Sequence, residues 1–317
     1  MRVVSREEHE ASLAELVREV RDPREGILGP RSVAWQIGGD LAIFLGGGRA
    51  ALLQLAHPMV AFAVDQHSHT RADIVGRFQR TFRNVFSMVF GELDDAIAAA
   101  RRVHNVHTRI HGEIPHAIGS WRARAPYHAN DADALRWVHA TLIDTTIAVR
   151  ERLDGALPTA LKDTYIVEMN RFAALFGIPR DLLADSWSAH EVYMRRMLAS
   201  DTLAVAPCAR EMASFLVGRG GEHEQPPLGK IAEALSAELL PPGLVRAFDL
   251  RVSRMSRTSA RVALAAFAPA YRRMPRRLVT IPARSEAGRR IRGEPPSKIA
   301  AWTERQLFGL TRQVTGA

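Results

Sequence analysis

The sequence predicts an all-α protein built as a single multi-helix domain. Apolar residues recur every three to four positions in one segment after another, the spacing that gathers them on one face of a helix. No stretch of useful length alternates apolar and polar residues in the manner of a half-buried strand. Hydrophobic residues make up 47% of the 317 residues and aromatics only 7%, so the core falls to Ala and Leu, both strong helix formers. No linker is long enough to force a split. The chain reads as one unit over 1–317: an N-terminal helix and loop over 1–35, a helical core over 36–268, and an Arg-rich segment over 269–317.

The elements follow in order. Residues 8–21 form an amphipathic helix with Leu13, Leu16, Val17 and Val20 on one face. A Pro/Gly loop follows, and Ser32 caps a short helix through Trp35 and Ile37, which 39–45 continue. Gly46-Gly47-Gly48 leads into an apolar helix from Arg49. The glycines suit close backbone approach; with no preceding strand and no Gly-Lys-Ser/Thr they are not a nucleotide loop. All-round apolarity marks that helix as buried, and His57-Pro58 breaks it. Asp65, His67 and His69 have the residue types of a metal cluster, but their alternating spacing reads better as a polar loop. Two helices follow, parted at Gly91; the second is opened by Asp94 and Asp95 and closed by Gly112. After a loop over 113–126, Asn130 or Asp131 caps a helix to about Leu153. Further helices are expected over 159–176, 180–200, 203–217, 228–239, 244–254 and 258–268, with a last short one near 297–311.

The chemistry concentrates between Arg77 and Gly112. On the first helix, Thr81 shares a face with Arg77, Phe78, Val85 and Met88. An arginine on an apolar face is costly unless an anion meets it, and no Asp or Glu shares that face. On the second helix His104, His107 and His111 lie on the apolar side, opposite Arg101, Arg102, Asn105 and Arg109. A histidine on an apolar face is ordinarily a hydrogen-bonded core residue. Three together, next to such an arginine, also suit a bound ligand. His139, on the apolar stripe of the helix after it, has the same two readings.

Charge is uneven. Residues 251–317 hold 15 Arg or Lys against 3 Asp or Glu, which leaves the first 250 slightly acidic within a total of +9. Such a segment is either a solvated arginine-rich face or a contact for an anionic membrane surface. Nucleic acid is not expected, since aromatics are not interleaved with the arginines and no recognition helix is evident. The single cysteine, Cys208, excludes an intramolecular disulfide and a C-x-x-C-H haem attachment. The N-terminus turns charged too early for a signal peptide, and 41–64 is interrupted by Arg49, His57 and Pro58, so a cytoplasmic location is expected.

Four pieces in order carry a resemblance: Gly48-Arg49-Ala50-Ala51-Leu52-Leu53-Gln54-Leu55-Ala56-His57-Pro58; Arg77-x-x-Arg80-Thr81; Arg102-Val103-His104-Asn105-Val106-His107-x-x-Ile110-x-Gly112; and Asp131-x-x-x-Leu135-x-Trp137-Val138-His139-Ala140-Thr141-Leu142. Over roughly 30–200 the chain resembles an oxygenase-like family. That family includes the rubber oxygenase (latex-clearing protein) and the membrane-bound oxygenase of mycophenolic acid biosynthesis. The resemblance implies a globin-like helical core around a non-covalent haem b. It implies His107 as the iron's axial ligand, with Arg77 and Thr81 beside the cofactor. Arg77, Arg80 and Thr81 become the expected catalytic residues, and His139 a further cofactor-binding one. The implied partners are dioxygen and a hydrophobic, lipid-like organic substrate. Two other readings stand beside this one: a non-haem metalloenzyme using the His104/His107/His111 face, and a haem-binding protein without turnover. Oligomeric state is not read from the sequence.

Overall fold

The computed structural model describes residues 1–67, 74–217 and 227–297, with the side chains of 74–79 and 227–228 outside the described set. The expected all-α class is what it shows: fifteen α-helices, three 3-10 turns and one two-stranded sheet among the described residues.

Helix α1 (Arg6–Glu19) opens on a capping box in which Ser5 and Glu8 satisfy each other's backbone N–H. It buries His9, Leu13 and Leu16, whereas Val17 faces solvent, so the predicted face is narrower than drawn. Helix α2 (Val33–Gly38) is capped by Ser32 as predicted. The predicted continuation over 39–45 is instead a separate 3-10 turn, Leu41–Gly46, because Asp40 starts a new cap on Ala42. Helices α3 (Gly47–Leu55) and α4 (Pro58–His67) meet at His57-Pro58, where the chain breaks as expected. Asp65, Gln66 and His67 end α4 rather than forming a loop, and His69 lies outside the described residues.

Helices α5 (Ile74–Phe90) and α6 (Leu93–His107) form the predicted hairpin around Gly91. Helix α6 stops five residues earlier than Gly112. Thr108 caps it and its hydroxyl donates to the His104 carbonyl at 3.0 Å. Strand β1 (His111–Glu113) then pairs antiparallel with β2 (Pro126–His128), His111 opposite His128. Pairing between distant residues thus overrode the local helix pattern, and the predicted loop over 113–126 joins the two strands, with only its end residues Glu113 and Pro126 in the sheet.

Helix α7 (Ala132–Asp154), capped by Asp131, is the spine. It supplies buried residues to all four apolar clusters: Ile143 and Ile147 to the largest, Trp137 and Ala140 to the second, Val149 and Leu153 to the third, Leu135 to the fourth. Helix α8 (Thr159–Ala174) packs against it, as does α3; α9 (Trp187–Leu198) packs on α8, α10 (Pro207–Leu216) on α3 and α4, and α11 (Pro227–Leu239) on α3. Helix α9 is shorter than the predicted 180–200 because Ser186 caps it there. The predicted 244–254 is a brief α12 (Pro242–Ala247), followed by Asp249 in the left-handed region at φ 50°. Helix α13 (Arg254–Arg273) is longer than expected and runs through Pro269, losing one hydrogen bond to the Ala265 carbonyl. Two short helices, α14 (Arg276–Val279) and α15 (Pro282–Ile291), follow. The helix predicted near 297–311 lies almost wholly outside the described residues.

Of the three glycines where α3 begins, Gly46 and Gly48 are close-approach residues, whereas a Cβ at Gly47 would meet nothing within 4 Å. A Cβ at Gly46 would sit 2.5 Å from the Thr145 methyl and 2.9 Å from a Val149 methyl on α7. Gly46→Val is therefore expected to push α3 off α7 and destabilise the fold by about 1–3 kcal/mol; an unchanged denaturation midpoint overturns this packing.

Candidate functional site

Between the two largest apolar clusters lies a cavity of about 600 Å³. Its α3 wall is low, made by Gly47, Ala50 and Ala51, since α3 has been drawn against α7. Across from it stand Thr81, Phe82 and Val85 of α5. Tyr165, Met169 and Phe172 of α8 and Met212 and Phe215 of α10 complete it. Polar side chains on the wall are few: Gln54, Thr81, Thr145, Thr146 and Tyr165. Burial pushes the Tyr165 phenol up to about 12, so it remains an O–H group beside Thr146. No carboxylate or imidazole is among the described lining residues. A space of this size and polarity suits a bulky, uncharged organic ligand.

Behind the wall is an ionic group that sequence reasoning missed. Arg49 of α3 is buried, and its guanidinium donates to the Leu239 carbonyl at 2.8 Å, to Thr145 Oγ1 at 2.7 Å and to the Asp144 carboxylate. His190 of α9 lies 3.6 Å from the other Asp144 oxygen. Burial acts to raise the Asp144 pKa, but His190 and Arg49 outweigh it and hold the carboxyl below the usual range. The available signal was an arginine inside an otherwise apolar helix, the same logic that drew attention to Arg77.

The predicted site residues scatter. Thr81 is on the cavity wall. Arg80 is exposed, and Arg77 stands on α5 with its side chain outside the described residues. His104, His107 and His111 do not share one helix face, because α6 ends at His107 and His111 is exposed on β1. His104 is a core histidine: it stacks on His9 at 4.3 Å and its Nε2 donates to the Val4 carbonyl at 3.2 Å, pinning the N-terminus. Among the described residues no group of three or more His, Cys, Asp or Glu could hold a metal ion, so the three-histidine metal face is not assembled.

His107 is different. Its Nδ1 is buried without a hydrogen-bond partner, with the Asn130 amide beside the ring. Desolvation pushes its pKa down to about 4, so the imidazole is neutral at physiological pH. It is not among the described residues lining the cavity. His139 is also held neutral, at about 4, chiefly by desolvation; neither ring nitrogen has a hydrogen-bond partner, and the ring stacks on the cavity residue Phe172 at 6.4 Å.

A family model described as the catalytic domain of ER-bound oxygenase mpaB/B' and rubber oxygenase matches residues 35–273. The chain belongs to this oxygenase family. No curated protein and no solved structure matches it. The family match begins at Trp35 in the first turn of α2 and ends at Arg273, the last residue of α13, so it spans the helices that wall the cavity. Among the described residues no helix is long and apolar enough to cross a membrane.

Two outcomes follow. Arg49→Met leaves Asp144 buried without its guanidinium and is expected to cost about 3–5 kcal/mol, with most recovered in Arg49→Met/Asp144→Leu; equal stability of the single and double variants refutes the coupling. His57, like His107 and His139, is pushed down to about 4 by desolvation. Between that value and the unfolded 6.5 the unfolded chain binds more protons, so stability rises with pH across this window and falls on acidification. Thermal melts are expected to show Tm falling below about pH 6.5, and a flat profile down to about pH 4.5 contradicts the neutral assignments.

Proposed function

We propose that this chain is a haem b-dependent oxygenase that acts, with dioxygen, on a hydrophobic, lipid-like organic substrate. The observation that carries the reading is the cavity: about 600 Å³ of mostly apolar space inside an oxygenase catalytic domain. His107 is not on this wall, so the cavity is assigned to the organic substrate, with Gly47, Ala50 and Ala51 leaving it room, and the haem to the His107 end of the α5–α6 hairpin beside it.

The ligand chemistry suits an iron porphyrin as well. Haem iron takes a neutral imidazole, and His107 is held neutral with a buried, unpartnered Nδ1. Topology supports pairing it with Arg77. Along the α5–α6 hairpin Arg77 lies fourteen residues before Gly91 and His107 sixteen after it. At 1.5 Å per residue both stand roughly 20–25 Å from the turn, at the same end. Arg77 is thus proposed to meet a haem propionate there, and His107 to be the axial ligand. Thr81, one turn along α5, leads from that end to the cavity wall.

When bound, the haem supplies the activation of dioxygen. The residues supply the rest. The wall excludes water and packs the substrate. Thr81 and Gln54 offer hydrogen bonds that orient a weakly polar group. Tyr165, kept protonated by burial, offers an O–H for hydrogen bonding and does not serve as a base. With no described carboxylate or imidazole on the wall, the cavity favours substrates without ionisable groups. Arg80, exposed beside Thr81, is proposed to act at the rim, and His139 to support Phe172 from behind.

The test is an absorption spectrum of the purified protein with a pyridine haemochrome assay. About one b-type haem per chain is expected, as for a single proximal ligand. His107→Ala should lose the Soret band, while His139→Ala should weaken haem retention less. Protein that holds no haem and takes up no added haemin rules the reading out, and a full Soret band in His107→Ala removes the ligand assignment.

A further inference from the structure

Helix α13 is twenty residues long, yet it buries only Leu264, Ala268 and Tyr271 along one edge. At about 100° per residue, Met255, Ser259, Val262, Ala266 and Arg273 line up on the opposite edge. Met255 is 77% exposed and Val262 61%. Phe267, whose ring packs on Tyr271, and Met274 lie on the flank between this strip and the buried edge, each 38% exposed, and Leu278 of α14 is exposed beyond them.

The arginines around it are equally uneven. From 251 to 285 there are nine arginines and no Asp or Glu. Several turn inward or sideways: Arg257 and Arg261 to Glu238, Arg276 to Asp40, Arg284 to the Gln36 carbonyl, and Arg251 to Asp249. The remainder frame the strip. Arg254 and Arg272 fall on the border opposite Phe267, Arg273 closes the C-terminal end, and Arg277 follows. None of these four has a carboxylate partner among the described residues; Arg273 reaches only the Pro269 carbonyl, at 3.4 Å.

We propose that the outer face of α13, continued by Arg277 and Leu278, is a docking surface for an anionic phospholipid membrane. The strip is convex and roughly 30 Å long, shaped to lie flat rather than to receive a groove-binding peptide. Its small and apolar side chains reach the acyl boundary while the arginines meet headgroup phosphates and acidic lipids. Helix α13 is not apolar enough to span, so the contact is interfacial. An ordinary solvated face would mix both signs of charge; here cations border exposed Met, Val and Phe with no anion among them. The proposal stands apart from the haem reading, since it uses no cavity residue.

The test uses the full-length purified chain with phosphatidylcholine vesicles, with and without phosphatidylserine, in a co-sedimentation assay. Binding to the phosphatidylserine vesicles is expected, weaker by roughly tenfold or more without the acidic lipid or at high salt. Charge reversal at Arg254, Arg272, Arg273 and Arg277 together should abolish it. Val262→Asp should weaken it with the arginines intact. All these positions are exposed, so circular dichroism and Tm should stay at wild-type values. No binding by the folded chain to acidic vesicles overturns the proposal. So does binding unaffected by Val262→Asp, which would mean adsorption by charge alone. A dimer in sedimentation velocity that Val262→Asp dissolves would assign the face to a second copy and overturn it too.

Discussion

The cavity depends on one buried ion pair. Arg49 joins α3 to Thr145 and Asp144 of α7 and to the last carbonyl of α11, and Asp144 in turn faces His190 of α9. Four helices are thereby fixed about a single guanidinium. Desolvating both charges is expensive, and the cost is offset only because every part of the guanidinium finds an acceptor. Once α3 is held there, Gly47, Ala50 and Ala51 face the cavity, Leu52 and Leu53 face the second core, and Gly48 lies against Ser236 of α11. Without that anchor the small residues on α3 would have no reason to stand opposite α5.

The same principle recurs where the basic C-terminal segment meets the core. Asp40, almost fully buried, accepts from Arg150 at 3.1 Å and from the Tyr271 hydroxyl, with Arg276 at 3.5 Å. Glu238 takes Arg152 at 3.1 Å and Arg261 at 2.7 Å. Two buried carboxylates thus serve as sockets that seat α13 and α14 on α7 and α11. The segment's positive charge is therefore divided between arginines that hold the fold together and arginines that face outward.

The interior histidines follow a different rule. His57, His107 and His139 sit where desolvation outweighs any nearby anion, so each is neutral. His9 and His104 stack, each giving a ring N–H to a backbone carbonyl, and this ties α1 and the N-terminal residues to α6. A single residue type thus does two jobs. Some rings close the structure by donating to carbonyls; others keep a nitrogen unspent.

The sequence by itself determined the helical class, the Ser32 cap, a cap at Asn130 or Asp131, the break at His57-Pro58 and the α5–α6 turn at Gly91, because each rests on local periodicity or local capping. The family was legible too, in four short motifs spread over the chain. What the tertiary structure decided was everything that depends on partners far along the chain. Helix α6 ends at His107 because His111 pairs with His128, a contact no local pattern reveals, and the three-histidine face dissolves with it. Arg49 is an anchor rather than a stray charge because Asp144 lies 95 residues away and the Leu239 carbonyl 190. The cavity likewise arises where α3, α5, α7, α8 and α10 fail to fill the space between two cores. Such a void is a property of packing, and no spacing of residues along one helix encodes it.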